Sequence, residues 1–159
     1  MNKITVWPRN YFYSELKKMG ITDENVVDFK NSAFISIQTS KVLAPMETPY
    51  FKKQHPNALT ITFDDITDKE IDYIQLGAQL FTEKDAKTIY KFVRDNISKH
   101  FIIHCTAGIS RSGAVGEFIQ RVTETPYYEF IRENPNIRPN YFVLGKLIRT
   151  WTIDNPSKF

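Results

Sequence analysis

Cys105 is the only cysteine of the chain, and it is followed by Thr106, Ala107, Gly108, Ile109 and Ser110, a mostly small and hydroxylic stretch that ends at Arg111. A thiol and a permanently charged guanidinium joined by a short turn are the parts needed for nucleophilic attack on an anion. If the chain leaves a strand at His104 and enters a helix near Arg111, the amides of the turn converge with the first unpaired N–H groups of that helix. Gly108 permits a backbone conformation that a side chain would resist. The same field acts on the thiol: an ordinary cysteine titrates near pH 8.5, whereas a helix amino terminus and a nearby cation lower it to roughly 3.5–7.5. A hydroxyl from Ser112, or alternatively from Ser110 or Thr106, is expected to donate to the sulfur. His104 is read as a hydrogen-bonded residue that shapes the loop and helps keep the thiolate charged, rather than as a proton carrier.

The elements needed to hold such a loop can be read on both sides of it. Phe101-Ile102-Ile103 reads as a short buried strand before it, and Ala114, Val115, Phe118, Ile119 and Val122 mark a helix stripe after it. Further strands are expected at Ile4–Trp7, Ala33–Ile37 and Leu59–Phe63. Helices are expected from Pro8 to Met19, closed by Gly20, from an N-cap at Thr82 to about Asn96, and along Leu144, Leu147, Ile148 and Trp151, with Asn140 as its cap. Pro45, Pro49 and Pro56 make Thr39–Asn57 a long loop, which with its Tyr50 and Phe51 is expected to form one wall of a substrate cleft. Alternating strands and helices predict an α/β fold: a central, mostly parallel twisted sheet of four to five strands flanked by helices, with the reactive loop at a strand's carboxyl end.

The segment His104-Cys105-Thr106-Ala107-Gly108-Ile109-Ser110-Arg111-Ser112 resembles the HCxxGxxR[ST] signature of the cysteine-dependent protein tyrosine and dual-specificity phosphatases. Together with Phe63-Asp64-Asp65-Ile66 it is most similar to small bacterial or phage predicted tyrosine phosphatases. The resemblance implies a tyrosine/dual-specificity phosphatase-like fold and a phosphocysteine intermediate on Cys105. It makes Arg111 the phosphate clamp, Thr106 to Arg111 the substrate-binding loop, Ser112 a catalytic hydroxyl, and an aspartic acid on another loop the proton donor. Asp65 fits the expected topology, following an upstream strand. The Trp-Pro-Asp sequence usual in the family is missing and the interval to the cysteine is long, so Asp64, Asp68 and Asp72 remain alternatives. Arg138 is a further candidate for a place near the substrate.

Composition narrows the partners. The length fits one domain over residues 1–159, and 42% hydrophobic with 14% aromatic residues favours a packed core over disorder. A net charge of +3 suits an anionic ligand. The basic residues are scattered, and the pairs Lys17-Lys18 and Lys52-Lys53 read as solvated surface rather than as a nucleic-acid face. A lone cysteine excludes an intramolecular disulfide framework, and the amino terminus lacks an apolar signal core, so the expected address is the cytoplasm. No membrane span is expected, and His55 and His100 lie apart from other ligand types, so no metal and no cofactor are expected. The expected substrate is a phosphorylated protein or peptide, on phosphotyrosine, with phosphoserine or phosphothreonine as the wider alternative. Phosphate, sulfate or vanadate should occupy the loop, and the chain should act as a monomer. A rhodanese-like sulfurtransferase and a noncatalytic phosphate-binding module are the competing readings.

Overall fold

The computed structural model describes residues 3–159. Four strands, β1 (Ile4–Pro8), β2 (Ser32–Gln38), β3 (Ala58–Thr62) and β4 (His100–Cys105), form one sheet in the order β1-β4-β2-β3. Every pairing is parallel. The α/β class is as expected, with four strands. The two central strands are apolar on both faces, as a sheet covered on both sides requires: Phe34 faces one way and Ala33, Ile35 and Ile37 the other. The register sets Pro8 beside Cys105, Ser36 beside His104 and Gln38 beside Thr62, so four strand ends meet at one rim.

Helix α1 (Arg9–Lys18) buries Phe12 and Leu16 on the Phe34 face. The other face is covered by α3 (Glu83–Asp95), α4 (Arg111–Val122) and α6 (Tyr141–Asp154), with Phe130 of α5 (Tyr127–Glu133) in the same core. The expected caps are present. The Thr82 hydroxyl accepts from the Asp85 amide while the Asp85 carboxylate accepts from the Thr82 amide, and the Asn140 side chain accepts from the amides of Phe142 and Val143. Gly20, just past α1, has φ +69°, the left-handed conformation that ends helices. Helix α2 (Ile71–Gln75) and α5 were not foreseen, being too short to show a helical period.

Residues 39–57 contain no helix or strand, as the prolines require. The placement of Tyr50 and Phe51 on a cleft wall is corrected, because both rings turn inward. Phe51 is 1% exposed and meets Phe34, while Tyr50 packs on Phe12 and Tyr13 and donates its hydroxyl to the Ile21 carbonyl. They pin the loop down; burying a ring of this size contributes about 1.5–3 kcal/mol.

Each edge of the sheet is closed by a carboxamide side chain that imitates a neighbouring strand. On β1, Asn134 accepts from the Val6 amide at 2.8 Å and donates to the Ile4 carbonyl at 2.8 Å. On β3, Gln54 accepts from the Thr60 amide at 2.9 Å and donates to the Thr60 carbonyl at 2.7 Å. Asn134→Ala would leave both β1 groups without partners, and an unsatisfied buried polar group costs about 1–3 kcal/mol. Urea unfolding should therefore show a loss of at least that size, and an unchanged midpoint would refute the role of the side chain. Among the described residues no helix is long and apolar enough to cross a membrane.

Candidate active site

The reactive loop is shaped by what holds its carbonyls. The Thr106 carbonyl accepts from the Arg9 amide at 3.1 Å, Ile109 from the Arg138 amide at 2.9 Å, and Ser110 from the amides of Asn140 at 3.0 Å and Ala114 at 2.9 Å. With these carbonyls turned outward, the intervening amides turn inward. Those of Ile109 and Ser112 hydrogen-bond the Cys105 sulfur. Among the described residues no protein group accepts from the amides of Ala107, Gly108 or Ser110. Gly108 has φ +69°, and a Cβ there would lie 2.5 Å from both Trp7 C and Pro8 N, so position 108 admits only glycine. The loop thus sits hard against the end of β1 and delivers the chain into α4, whose positive dipole end faces the same centre.

Cys105, 2% exposed, lies at the floor of this loop with its Sγ 3.0 Å from the Ser112 hydroxyl. Burial by itself would push the thiol up. It is outweighed by the Ser112 hydroxyl and amide, the Arg111 charge and the Ile109 amide, and the thiol titrates below its ordinary value. Of the three hydroxyls considered from sequence, Ser112 is the one on the sulfur. Thr106 instead accepts from Arg111 Nη2 at 2.9 Å and pairs with the Thr39 hydroxyl, and Ser110 donates to Asp65.

Arg111 is buried beneath the loop. Its Nη1 donates to the Phe63 carbonyl at 2.8 Å and the Gln38 carbonyl at 3.4 Å, which ties the cation to the ends of β3 and β2. Its Nε is buried without a partner, a donor left for a ligand.

His104 is fully buried, 4.3 Å between ring centres from Phe12. Burial, aided by the charges of Arg9 and Arg111 and opposed by the bond to the Cys105 carbonyl, pushes its pKa down to about 4, so the ring is neutral at physiological pH. A carbonyl can only accept, so Nδ1 carries the proton and donates to the Cys105 oxygen at 3.1 Å. Nε2 must then accept, and it does so from the Ser36 hydroxyl. His104 orients the loop and carries no charge to it.

The four aspartates separate by environment. Asp64 is fully buried; its carboxylate accepts from the amides of Ser40 at 2.9 Å and Gln79 at 2.7 Å, and it staples two loops together. Asp68 and Asp72 are exposed, and neither hydrogen-bonds the reactive loop. Asp65 is exposed at the rim, its Oδ1 accepting from the Ser110 hydroxyl at 2.7 Å and the Asn140 amide group at 3.0 Å. Oδ2 accepts no hydrogen bond from the described residues. Asn140 thus both caps α6 and fixes this carboxylate, a second task that capping rules alone did not reveal. Arg138 joins the loop through its backbone amide, and the residue is exposed.

No protein-family model matches the sequence, and no curated protein matches it. Several solved structures are similar to it, including the following two. One is a human tyrosine phosphatase-like serine/threonine/tyrosine-interacting protein, 20% identical over 89% of this chain and 83% of that one, with a TM-score of 0.45. The other, Tk-PTP in its active form, is 15% identical over 83% of this chain and 84% of that one, with a TM-score of 0.42.

Proposed function

We propose that the chain is a cysteine-dependent phosphatase of phosphorylated proteins or peptides, acting first on phosphotyrosine. The observation that carries this reading is the Cys105 sulfur on the floor of a loop whose Ile109 and Ser112 amides and Ser112 hydroxyl point at it, with the Arg111 guanidinium alongside. Such a centre stabilises negative charge on sulfur and on equatorial phosphoryl oxygens alike. The substrate phosphate sits on the free amides of Ala107, Gly108 and Ser110 and on Arg111 Nε.

In the first step the Cys105 thiolate attacks phosphorus, an S–P bond forms and the ester O–P bond breaks. Asp65 gives the proton on Oδ2 to the departing oxygen. In the second step water attacks phosphorus and returns a proton to Asp65, the S–P bond breaks, and the Ser112 hydroxyl steadies the leaving thiolate. Cys105 is 2% exposed, which supports phosphotyrosine, whose phosphate stands farther from its backbone than that of phosphoserine. A thiolate nucleophile requires a reducing compartment, which supports a cytoplasmic setting.

Two measurements test the reading. The native protein should release phosphate from p-nitrophenyl phosphate, with competitive inhibition by vanadate, a mimic of the five-coordinate phosphoryl species. The rate of Cys105 alkylation by iodoacetamide should reach its plateau below pH 8.5, the ordinary range of a free thiol. A thiol that titrates in the ordinary range, or thiocyanate production from thiosulfate and cyanide without phosphate release, would overturn it.

A further inference from the structure

Beside the reactive loop, between the sheet and residues 39–49, lies a cleft of about 490 Å³ that the phosphoryl chemistry does not use. It joins the loop at Thr39, whose hydroxyl is 3.2 Å from that of Thr106. Two of its lining side chains, Gln38 and Ser40, are 5% and 1% exposed, and each has a buried atom without a partner: Gln38 Oε1 and Ser40 Oγ. A buried polar atom left unpaired is costly and points to a missing partner.

The orientation of the Gln38 amide follows from the histidine relay. Neutral His104 donates through Nδ1, so Ser36 must donate to Nε2. Ser36 then needs a donor of its own and receives it from Gln38 Nε2 at 3.3 Å. The oxygen is therefore the atom left over, an acceptor with no donor. The Ser40 hydroxyl can donate or accept.

We propose that this cleft is a subsite for an asparagine or glutamine side chain flanking the phosphorylated residue of the peptide substrate, an assignment that rests on the phosphatase reading. A primary amide supplies an N–H for Gln38 Oε1 and a carbonyl for the Ser40 hydroxyl, while Val42 and Pro49 meet its aliphatic stem. A carboxylate would set its lone pairs against Gln38 Oε1. A cation gains little, because the Glu47 carboxylate already accepts from the Thr39 amide at 2.9 Å and faces Arg9 Nε at 3.8 Å, and Lys41 stands on the same wall.

The test uses phosphotyrosine peptides that differ only in the residue before or after the phosphotyrosine: glutamine, asparagine, glutamate, lysine, leucine or alanine. Two well-placed hydrogen bonds predict kcat/KM about tenfold higher for an amide-bearing peptide than for the alanine peptide. Ser40→Ala should reduce that preference several-fold, with no loss of stability since the hydroxyl it removes has no partner, and Val42→Trp, which fills the cleft from an exposed position, should abolish it. Both variants should hydrolyse p-nitrophenyl phosphate, too small to reach the cleft, as the native protein does. Equal kcat/KM across the peptides, or a preference that survives Val42→Trp, overturns the subsite while leaving the phosphatase reading intact. Loss of all hydrolysis by the native protein overturns that reading instead. The subsite is then decided by fluorescence anisotropy of the same peptides on the Cys105→Ser protein, where an amide preference sustains it and its absence removes it.

Discussion

Cys105→Ser should abolish turnover of p-nitrophenyl phosphate, with kcat falling by at least about 10³-fold, as removal of a covalent nucleophile does elsewhere. A serine hydroxyl keeps its proton at neutral pH and, with no general base on it, is a poor nucleophile where a thiolate is a strong one. The rest of the anion site remains: the loop carbonyls stay tied to Arg9, Arg138 and Asn140, and Arg111 stays tied to the carbonyls of Phe63 and Gln38. Binding should therefore persist while chemistry stops. Isothermal titration with phosphotyrosine should give a Kd within a few-fold of the native KM. A serine variant that still turns over would remove the covalent mechanism, and one that neither binds nor turns over would show that the sulfur is needed to organise the loop.

Asp65→Asn should lower kcat by about 10²–10⁴-fold, the usual contribution of a positioned general acid. The pH profile carries more information than the size of the loss. An acid must be protonated to act, so the native kcat profile should have an alkaline limb, and the variant that removes the general acid should lack it. The loss should shrink for p-nitrophenyl phosphate, whose leaving group needs less protonation than a tyrosine side chain. Asp64→Asn is the control from the neighbouring position. Its carboxylate holds the amides of Ser40 and Gln79, so the substitution should lower the unfolding midpoint and leave the alkaline limb in place. If the Asp64 variant loses the limb and the Asp65 variant keeps it, the roles given to the two residues are reversed.

The reactive loop was legible in the sequence because its chemistry is local: nucleophile, glycine turn, hydroxyls and cation all fall within Cys105–Ser112, and steric demands near Gly108 leave little freedom in order. The acid was not legible in the same way. Asp64 and Asp65 are adjacent, and what separates them is distant in sequence: Ser40 and Gln79 claim the first, while Ser110 and Asn140 hold the second. The strands and the long helices followed from periodicity, whereas α2 and α5 are shorter than the window in which a period can be seen. Tyr50 and Phe51 misled because a residue in an irregular loop has no period from which its direction can be read. The Gln38–Ser36–His104 relay alternates along one face of β2, and only the parallel pairing of β2 with β4 brings it to the cysteine.

The carboxamides that close β1 and β3 bear on how a substrate can approach. An unpaired sheet edge is a template on which another extended chain can hydrogen-bond, whether a peptide ligand or a second copy of the same protein. Asn134 and Gln54 occupy the main-chain groups that such a template would offer at Ile4, Val6 and Thr60. An extended chain, ligand or second copy, is therefore denied strand addition at these positions, so recognition of any peptide has to be built away from the middle of both sheet edges.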